Sequence, residues 1–177
     1  FQLESGLWFS PEMISDKESR LAFDGQATEW LAEYGCFSVE RLFRDFYGVF
    51  PHITTLEDCA ALLKYFGFTV VSWGKGGYFC SQSSPNLDDS LSTISEMISG
   101  WLEEAAGTLT FHEIEQAMPH LTAEALESIR VYFLPEIHEV DVGGVSCWCS
   151  TEAIHLPEDF SDNLTSIVDT LVELEER

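Results

Sequence analysis

The side chains that could bind a metal are concentrated in the second half of the chain. Cys147 and Cys149 lie two residues apart, with His138 and His155 close in sequence. Cysteine and histidine are the usual ligands of Zn²⁺, but a structural zinc site needs closely spaced ligand pairs from two segments. The first half offers only Cys80 at the corresponding place. We therefore expect ordinary buried thiols, with neither a metal nor a cofactor.

Groups that could act in acid–base catalysis are better explained by local structure. His112 stands next to Glu113, but Glu113 has the capping-box spacing from Thr110. Glu103 and Glu104 are adjacent, as on a solvated helix face, whereas acid–base catalysis needs groups that converge in a pocket. The motifs of P-loop NTPases, dinucleotide-binding folds, zinc proteases and serine hydrolases are all missing from the sequence. We expect a protein that is not an enzyme.

The charge balance disfavours a nucleic-acid ligand. The 177 residues include 31 Asp and Glu against 8 Lys and Arg, a formal net charge of -23, and Arg130 is the only basic residue between Lys75 and Arg177. Nucleic-acid binding requires cations that displace counterions from phosphates, so such a surface repels a duplex unless a local basic patch overrides it. A protein partner with a basic or apolar surface fits better, although the charge could also serve solubility alone.

The cysteine count and the hydropathy pattern indicate the compartment. Five cysteines cannot all pair within one chain, and 13 Phe and 5 Trp can supply a core without cross-links. No apolar run approaches the ~20 residues of a membrane-spanning helix, and the first thirty residues show no signal-peptide pattern. We expect reduced thiols in a cytoplasmic protein, or a nuclear one if the source is eukaryotic, without membrane binding.

Hydrophobic spacing predicts three helices and a hairpin in the first half. Residues 1–23 are interpreted as an extension that packs on a first domain, and a helix is expected over 24–34. Ser38 is a good N-cap for a second helix, and a capping-box pattern begins at Thr54 for a third. Aromatic and β-branched residues on both sides of a glycine-rich turn then predict a hairpin over 68–80.

The same order of elements recurs in the second half. A stripe of apolar residues predicts a helix that ends near Gly107, and Thr110 and Thr122 are N-cap candidates for two more. A turn at Gly143 and Gly144 predicts a second hairpin. We expect domains at 24–84 and 85–157, followed at 158–177 by an amphipathic helix with the stripe Leu164, Ile167, Val168 and Leu171.

An overlay of the two halves indicates an internal repeat. Trp30 and Leu31 match Trp101 and Leu102 at an offset of 71, and Ser38 matches Thr110 at 72. From the third helix onward the offset is 67, as in the matches of Thr55 with Thr122, Gly77 with Gly144, and Cys80 with Cys147. The change requires about five extra loop residues in the first copy, where insertion is cheap. We expect one fold used twice.

Three helices followed by a hairpin with a glycine-rich tip is the element order of the winged-helix superfamily. The chain resembles that superfamily over 101–149 and, more loosely, over 30–80. The resemblance implies a mainly helical α+β protein made of two tandem winged-helix domains. Members of the superfamily use the third helix to read DNA and the wing to touch its backbone, but many bind proteins instead.

A pair of such domains in a short acidic chain is also similar to the segregation and condensation protein B group. The similarity lies in the stretch Leu109 to Ile114 and in Gly76, Gly77 and Tyr78 at the wing tip. It implies binding to a kleisin subunit of a chromosome-organising complex.

Two sets of side chains are candidate binding residues. Aromatic residues on the wing strands are candidate anchors for a protein partner, or they pack beneath the neighbouring unit: Trp73, Tyr78, Phe79 and Trp148. A DNA-binding alternative would use Arg41, Arg44, Lys64 and Lys75. One cation on each third helix, however, cannot supply the ~6 to 10 phosphate contacts of a strong binder.

We therefore expect a protein-binding regulatory or scaffolding module in a transcription or chromosome-associated complex. A DNA-binding transcriptional regulator is the first alternative, and it depends on a small basic patch. The second is an acidic inhibitor that mimics DNA, in which rows of carboxylates imitate phosphates.

Overall fold

A computed structural model of the chain describes residues 16–74, 77–82, 87–151 and 153. The described residues form six helices and two three-stranded antiparallel sheets, which confirms the mainly helical α+β class. The first unit (residues 16–82) contains α1 (Lys17–Tyr34), β1 (Cys36–Ser38), α2 (Val39–Asp45), α3 (Leu56–Tyr65), β2 (Thr69–Ser72) and β3 (Tyr78–Ser81). The second unit (residues 87–153) contains α4 (Leu87–Glu104), β4 (Thr108–Thr110), α5 (Phe111–Ala117), α6 (Ala123–Phe133), β5 (Ile137–Val142) and β6 (Val145–Ser150).

Both units have the same topology. Each runs helix, strand, helix, helix and hairpin, and the short early strand joins the hairpin at its second strand, giving the orders β1-β3-β2 and β4-β6-β5. The hairpins were expected from the sequence, whereas β1 and β4 were not. Each of these strands has only three residues, too few to show an alternating pattern, and each pairs with a partner far away in sequence.

The strand register corrects the sequence overlay in the hairpins. Phe37 pairs with Cys80, whereas the matching residue of the second unit, Leu109, pairs with Trp148. Cys80 therefore corresponds to Trp148 and not to Cys147. The physical reason is two differences in length. Val70 corresponds to Glu139, an offset of 69, so the second unit has two more residues between its third helix and its hairpin, while its hairpin turn is one residue shorter.

The helix starts differ from the sequence expectation at two places. Helix α1 begins at Lys17, not at residue 24, because the Asp16 side chain caps it by accepting the Ser19 N–H at 2.8 Å. The expected boundary between 23 and 24 thus falls inside a helix, and the earlier extension (1–15) lies outside the described residues. Helix α3 is capped by Thr55, one residue after the predicted cap, through the Asp58 N–H at 3.2 Å.

The other predicted caps are confirmed in the second unit. Thr110 and Glu113 form a complete capping box on α5, and the Thr122 hydroxyl accepts the Ala125 N–H on α6. The predicted C-terminal amphipathic helix at 158–177 lies outside the described residues.

Two hydrophobic cores hold the molecule together, and the boundary between them does not follow the boundary between the units. The first core lies among α1, α2, α3 and the inner face of the first sheet. The second core lies among α4, α5, α6 and the second sheet, but it also contains Cys36 and Phe79 from β1 and β3. The two units therefore share a packed junction.

Candidate protein-interaction surfaces

Two of the four predicted partner anchors are core residues. Phe79 and Trp148 are both 0% exposed, and both belong to the second core. Successive side chains of a strand point to opposite faces of its sheet, and for these two residues the face is covered. The prediction that they bind a partner is corrected, since neither side chain is accessible.

The other two anchors are half-buried and contact their own chain. The Trp73 ring stacks on Phe133 of α6 at 6.0 Å between centroids and meets Tyr132 edge-on at 5.5 Å. Tyr78 packs against the first core. Trp73 thus lies against the neighbouring unit, the second of the two arrangements expected from the sequence.

The polar part of the junction centres on His120. Its carbonyl accepts the Ser38 N–H at 3.1 Å, and its ring stacks on Tyr34 with centroids 3.7 Å apart. The ring is fully buried, and neither nitrogen has a hydrogen-bond partner among the described residues. Burial lowers the pKa of His120 to about 3, so the ring is neutral at physiological pH.

The cations of the DNA-binding alternative are partly neutralised by the chain itself. Arg41 pairs with Asp45 at 3.3 Å. Arg44 pairs with Glu40 at 2.8 Å and, across the junction, with Glu124 at 3.4 Å. The hydrogen bond to Glu40 raises the pKa of Arg44. Lys64 is exposed in the last turn of α3, and Lys75 lies outside the described residues.

Helix α6 presents an acidic outer side, which we call the α6 surface: Glu124, Glu127 and Val131 at helical spacing. Glu124 keeps 62% of its side chain exposed and Glu127 keeps 42%. Together with Phe111, Ala123 and Glu139, the two carboxylates line a shallow cleft of about 290 Å³. A cationic side chain would find an aromatic wall and three carboxylates there.

The one cation of α6 is paired with a carboxylate of this surface and is largely covered. Arg130 pairs with Glu127, donates a hydrogen bond to the Ile137 carbonyl at 2.9 Å and lies 6.0 Å from the centroid of the Trp148 ring. Only 17% of its side chain is exposed. The α6 surface therefore offers partly exposed carboxylates, with Arg130 largely covered and with Arg44 of the first unit paired to Glu124 at its edge.

The five cysteines are free and buried, and they suit packing better than reactivity. In the first unit, burial raises the pKa of Cys36, Cys59 and Cys80 to about 12, which keeps these thiols protonated at neutral pH.

Within the described ranges, no three metal-ligating side chains come together. None of the helices in that part of the chain is both long enough and apolar enough to cross a bilayer.

One apolar surface was missed by sequence reasoning. We call it the outer face of the second sheet: Val140, Val142, Val145, Cys147 and Cys149, which share one side of β5 and β6 with the exposed His138. The alternation of these residues with Asp141, Ser146 and Trp148 could have revealed it. The side that faces the core, however, becomes known only once the pairing with β4 places Trp148 inward.

Comparison with known proteins gives no family for this chain. No protein-family model matches the sequence, and a search of curated proteins finds no significant match. The surfaces described above are therefore the basis for proposing a function.

Proposed function

We propose that the chain is a non-enzymatic regulatory or scaffolding module, built from two tandem winged-helix units, that binds a basic protein surface through the α6 surface. The repeated order of helix, strand, helix, helix and hairpin supports the winged-helix assignment. Through its resemblance to the segregation and condensation protein B group, we place the partner in a transcription or chromosome-associated complex.

The observation that carries this proposal is the charge on α6. In a winged-helix unit the third helix is the one that enters a DNA groove, and in the order of elements α3 and α6 are the third helices of their units. On α6 the side chains of Glu124 and Glu127 stay 62% and 42% exposed although each pairs with an arginine, Glu124 with Arg44 and Glu127 with the largely covered Arg130. Carboxylates would repel phosphates, but they attract Lys and Arg of a partner and speed its approach.

The test compares a basic peptide with a duplex. A labelled Lys/Arg-rich peptide should bind the full chain at low salt and lose affinity as salt screens the charges. The double substitution Glu124→Gln and Glu127→Gln should weaken binding roughly threefold to tenfold, because exposed ion pairs contribute up to about 1 kcal/mol each. The matched control removes two exposed carboxylates elsewhere, by Glu103→Gln and Glu104→Gln, and should have a smaller effect.

The same titration with mixed-sequence duplex DNA should give flat curves at low salt. Micromolar or tighter binding of duplex that is lost on Arg41→Ala and Arg44→Ala would overturn the proposal in favour of the DNA-binding alternative. Equal weakening of peptide binding by both Gln variants would show that net charge, and not the α6 surface, attracts the peptide.

A further inference from the structure

The first sheet is covered on both faces. Phe37 and Cys80 point into the first core, while their neighbours Cys36 and Phe79 point to the opposite side and belong to the second core. Helix α4, the element that follows β3 in the chain, lies on that opposite side and contacts both β1 and β3. Among the described residues no ion pair involves α4, so the helix is held on the sheet by its apolar stripe.

The chain leaves the second sheet along the equivalent path. In the first unit Gly35 precedes β1, and a Cβ built on it would stand 3.0 Å from the Ser90 Oγ of α4. Its counterpart Gly107 precedes β4, and a Cβ built there would stand 2.6 Å from the Ala153 Cβ. The residues that follow β6 therefore pass over the same point of their sheet that α4 approaches on the first sheet.

The outer face of the second sheet is open at the hairpin tip and closed at its other end. Val142 and Val145, beside the turn, are 57% and 49% exposed. Cys147 and Cys149 are only 6% and 7% exposed, although neither belongs to one of the two cores. The closed part is thus the end of β6 at which the chain leaves the sheet.

The sequence that comes next repeats the pattern of α4. Apolar residues of the buried stripe of α4 have apolar counterparts at a constant offset of 73: Leu87 with Phe160, Leu91 with Leu164, Ile94 with Ile167, and Ile98 with Leu171. Two acidic residues match at the same offset, Asp89 with Asp162 and Glu96 with Asp169. The segment 158–177, which lies outside the described residues, therefore corresponds in sequence to the helix that covers the first sheet.

We propose that the segment 158–177 packs as an amphipathic helix on the outer face of the second sheet, in the position that α4 has on the first. Its stripe would lie on Val140, Cys147 and Cys149. An apolar sheet face is buried by packing against another element, and a segment tethered a few residues away has the advantage of a high effective concentration. A separate protein would reach this face only by displacing the segment.

This inference goes beyond the proposed function, because the outer face is separate from the α6 surface. The effect of the Glu124 and Glu127 substitutions on peptide binding is measured independently. Failure of one proposal therefore leaves the other standing.

Thiol alkylation of the full chain is the first test. The double substitution Ile167→Asp and Leu171→Asp places two carboxylates on the stripe, where their burial would be costly. The segment should then leave the face. Cys147 and Cys149 should react roughly tenfold faster or more than in the wild type, because the reactivity of a covered thiol follows local opening, while the thiols of the first unit should react as before.

The matched control adds the same charge to the other side of the segment. Ser166→Asp and Thr170→Asp fall at the positions of Thr93 and Met97, which are exposed on α4, and should leave all the alkylation rates unchanged. Unchanged rates in the variant with the substituted stripe would overturn the proposal. So would an equal increase in the control.

Photo-cross-linking is the second test, and it decides even if the aspartates unfold the chain, because the segment stays unsubstituted. A diazirine analogue of leucine in place of the half-buried Val140 should cross-link to residues 160–171 of the same chain, as mapped by mass spectrometry. The same analogue in place of Val131, which is 54% exposed on α6, should not. Equal cross-linking from both positions, or no cross-link from position 140 to the segment, would contradict the proposal. A cross-linked dimer from position 140 would also do so, since a second copy would then be the occupant.

Discussion

At the scale of single residues, His120 has the least ordinary environment for a titratable group. Its ring lies against Tyr34 between the two units, and burial lowers its pKa to about 3 from the ordinary 6.5. In the unfolded chain the ring takes up a proton near pH 6.5. The unfolded state therefore binds more protons than the folded state between these two values, and stability falls as the pH is lowered through this range.

The substitution His120→Phe should reduce this pH dependence, because it keeps an aromatic ring on Tyr34 and removes the titrating group. Between about pH 7.5 and about pH 4.5 the wild type should lose about 2 to 3 kcal/mol more of its unfolding free energy than the variant does. Urea unfolding followed by circular dichroism at both pH values gives the comparison. Equal losses in the two proteins would show that His120 is not buried in its neutral form.

At the scale of elements, the equivalent helices α2 and α5 start with different caps. On α5 the Thr110 hydroxyl accepts the Glu113 N–H at 3.2 Å, and the Glu113 carboxylate returns to the Thr110 N–H at 2.8 Å. The Thr110 hydroxyl and the Thr110 N–H both donate to this carboxylate, and they lower the pKa of Glu113. On α2 the N-cap residue Ser38 makes no side-chain capping bond, and its N–H is instead used at the junction with His120.

Removal of the two capping hydroxyls should therefore have unequal effects. Thr110→Ala should cost about 1 kcal/mol of unfolding free energy, the usual value of an N-cap hydroxyl, while Ser38→Ala should cost clearly less. Thermal or urea unfolding of the two variants measures the difference. A similar loss in both would mean that the Ser38 hydroxyl has a stabilising contact of another kind.

Helices were easier to predict from the sequence than the arrangement of the strands. The stripe on α4 and the caps at Thr110 and Thr122 depend on neighbours three or four residues away, so local spacing was enough. Pairing with strands that are far away in sequence determines where β1 and β4 form. The same pairing determines which face of β3 and β6 points inward. The same reason explains why Phe79 and Trp148 were predicted as partner anchors, although both are buried.

At the scale of the whole molecule, the two units should unfold together. Cys36 and Phe79 of the first unit lie in the core of the second, and the junction adds the Trp73 contacts and the ion pair between Arg44 and Glu124. Far-ultraviolet circular dichroism and tryptophan fluorescence should give coincident urea transitions. Phe79→Ala should reduce the free energy of unfolding by about 3 to 5 kcal/mol, the usual range for a buried phenylalanine, and should move the single transition to a lower urea concentration. Two separate transitions in the wild type would contradict this expectation.

The position of α4 on the first sheet also determines how the molecule can be dissected. A fragment that ends after β3 would leave Cys36, Phe79 and Val71 without their cover and expose an apolar sheet to other chains. Such a fragment would aggregate on expression, whereas one that continues to Glu104 would keep this sheet enclosed. The smallest part of the chain that is useful for mapping partners therefore crosses the boundary between the two units.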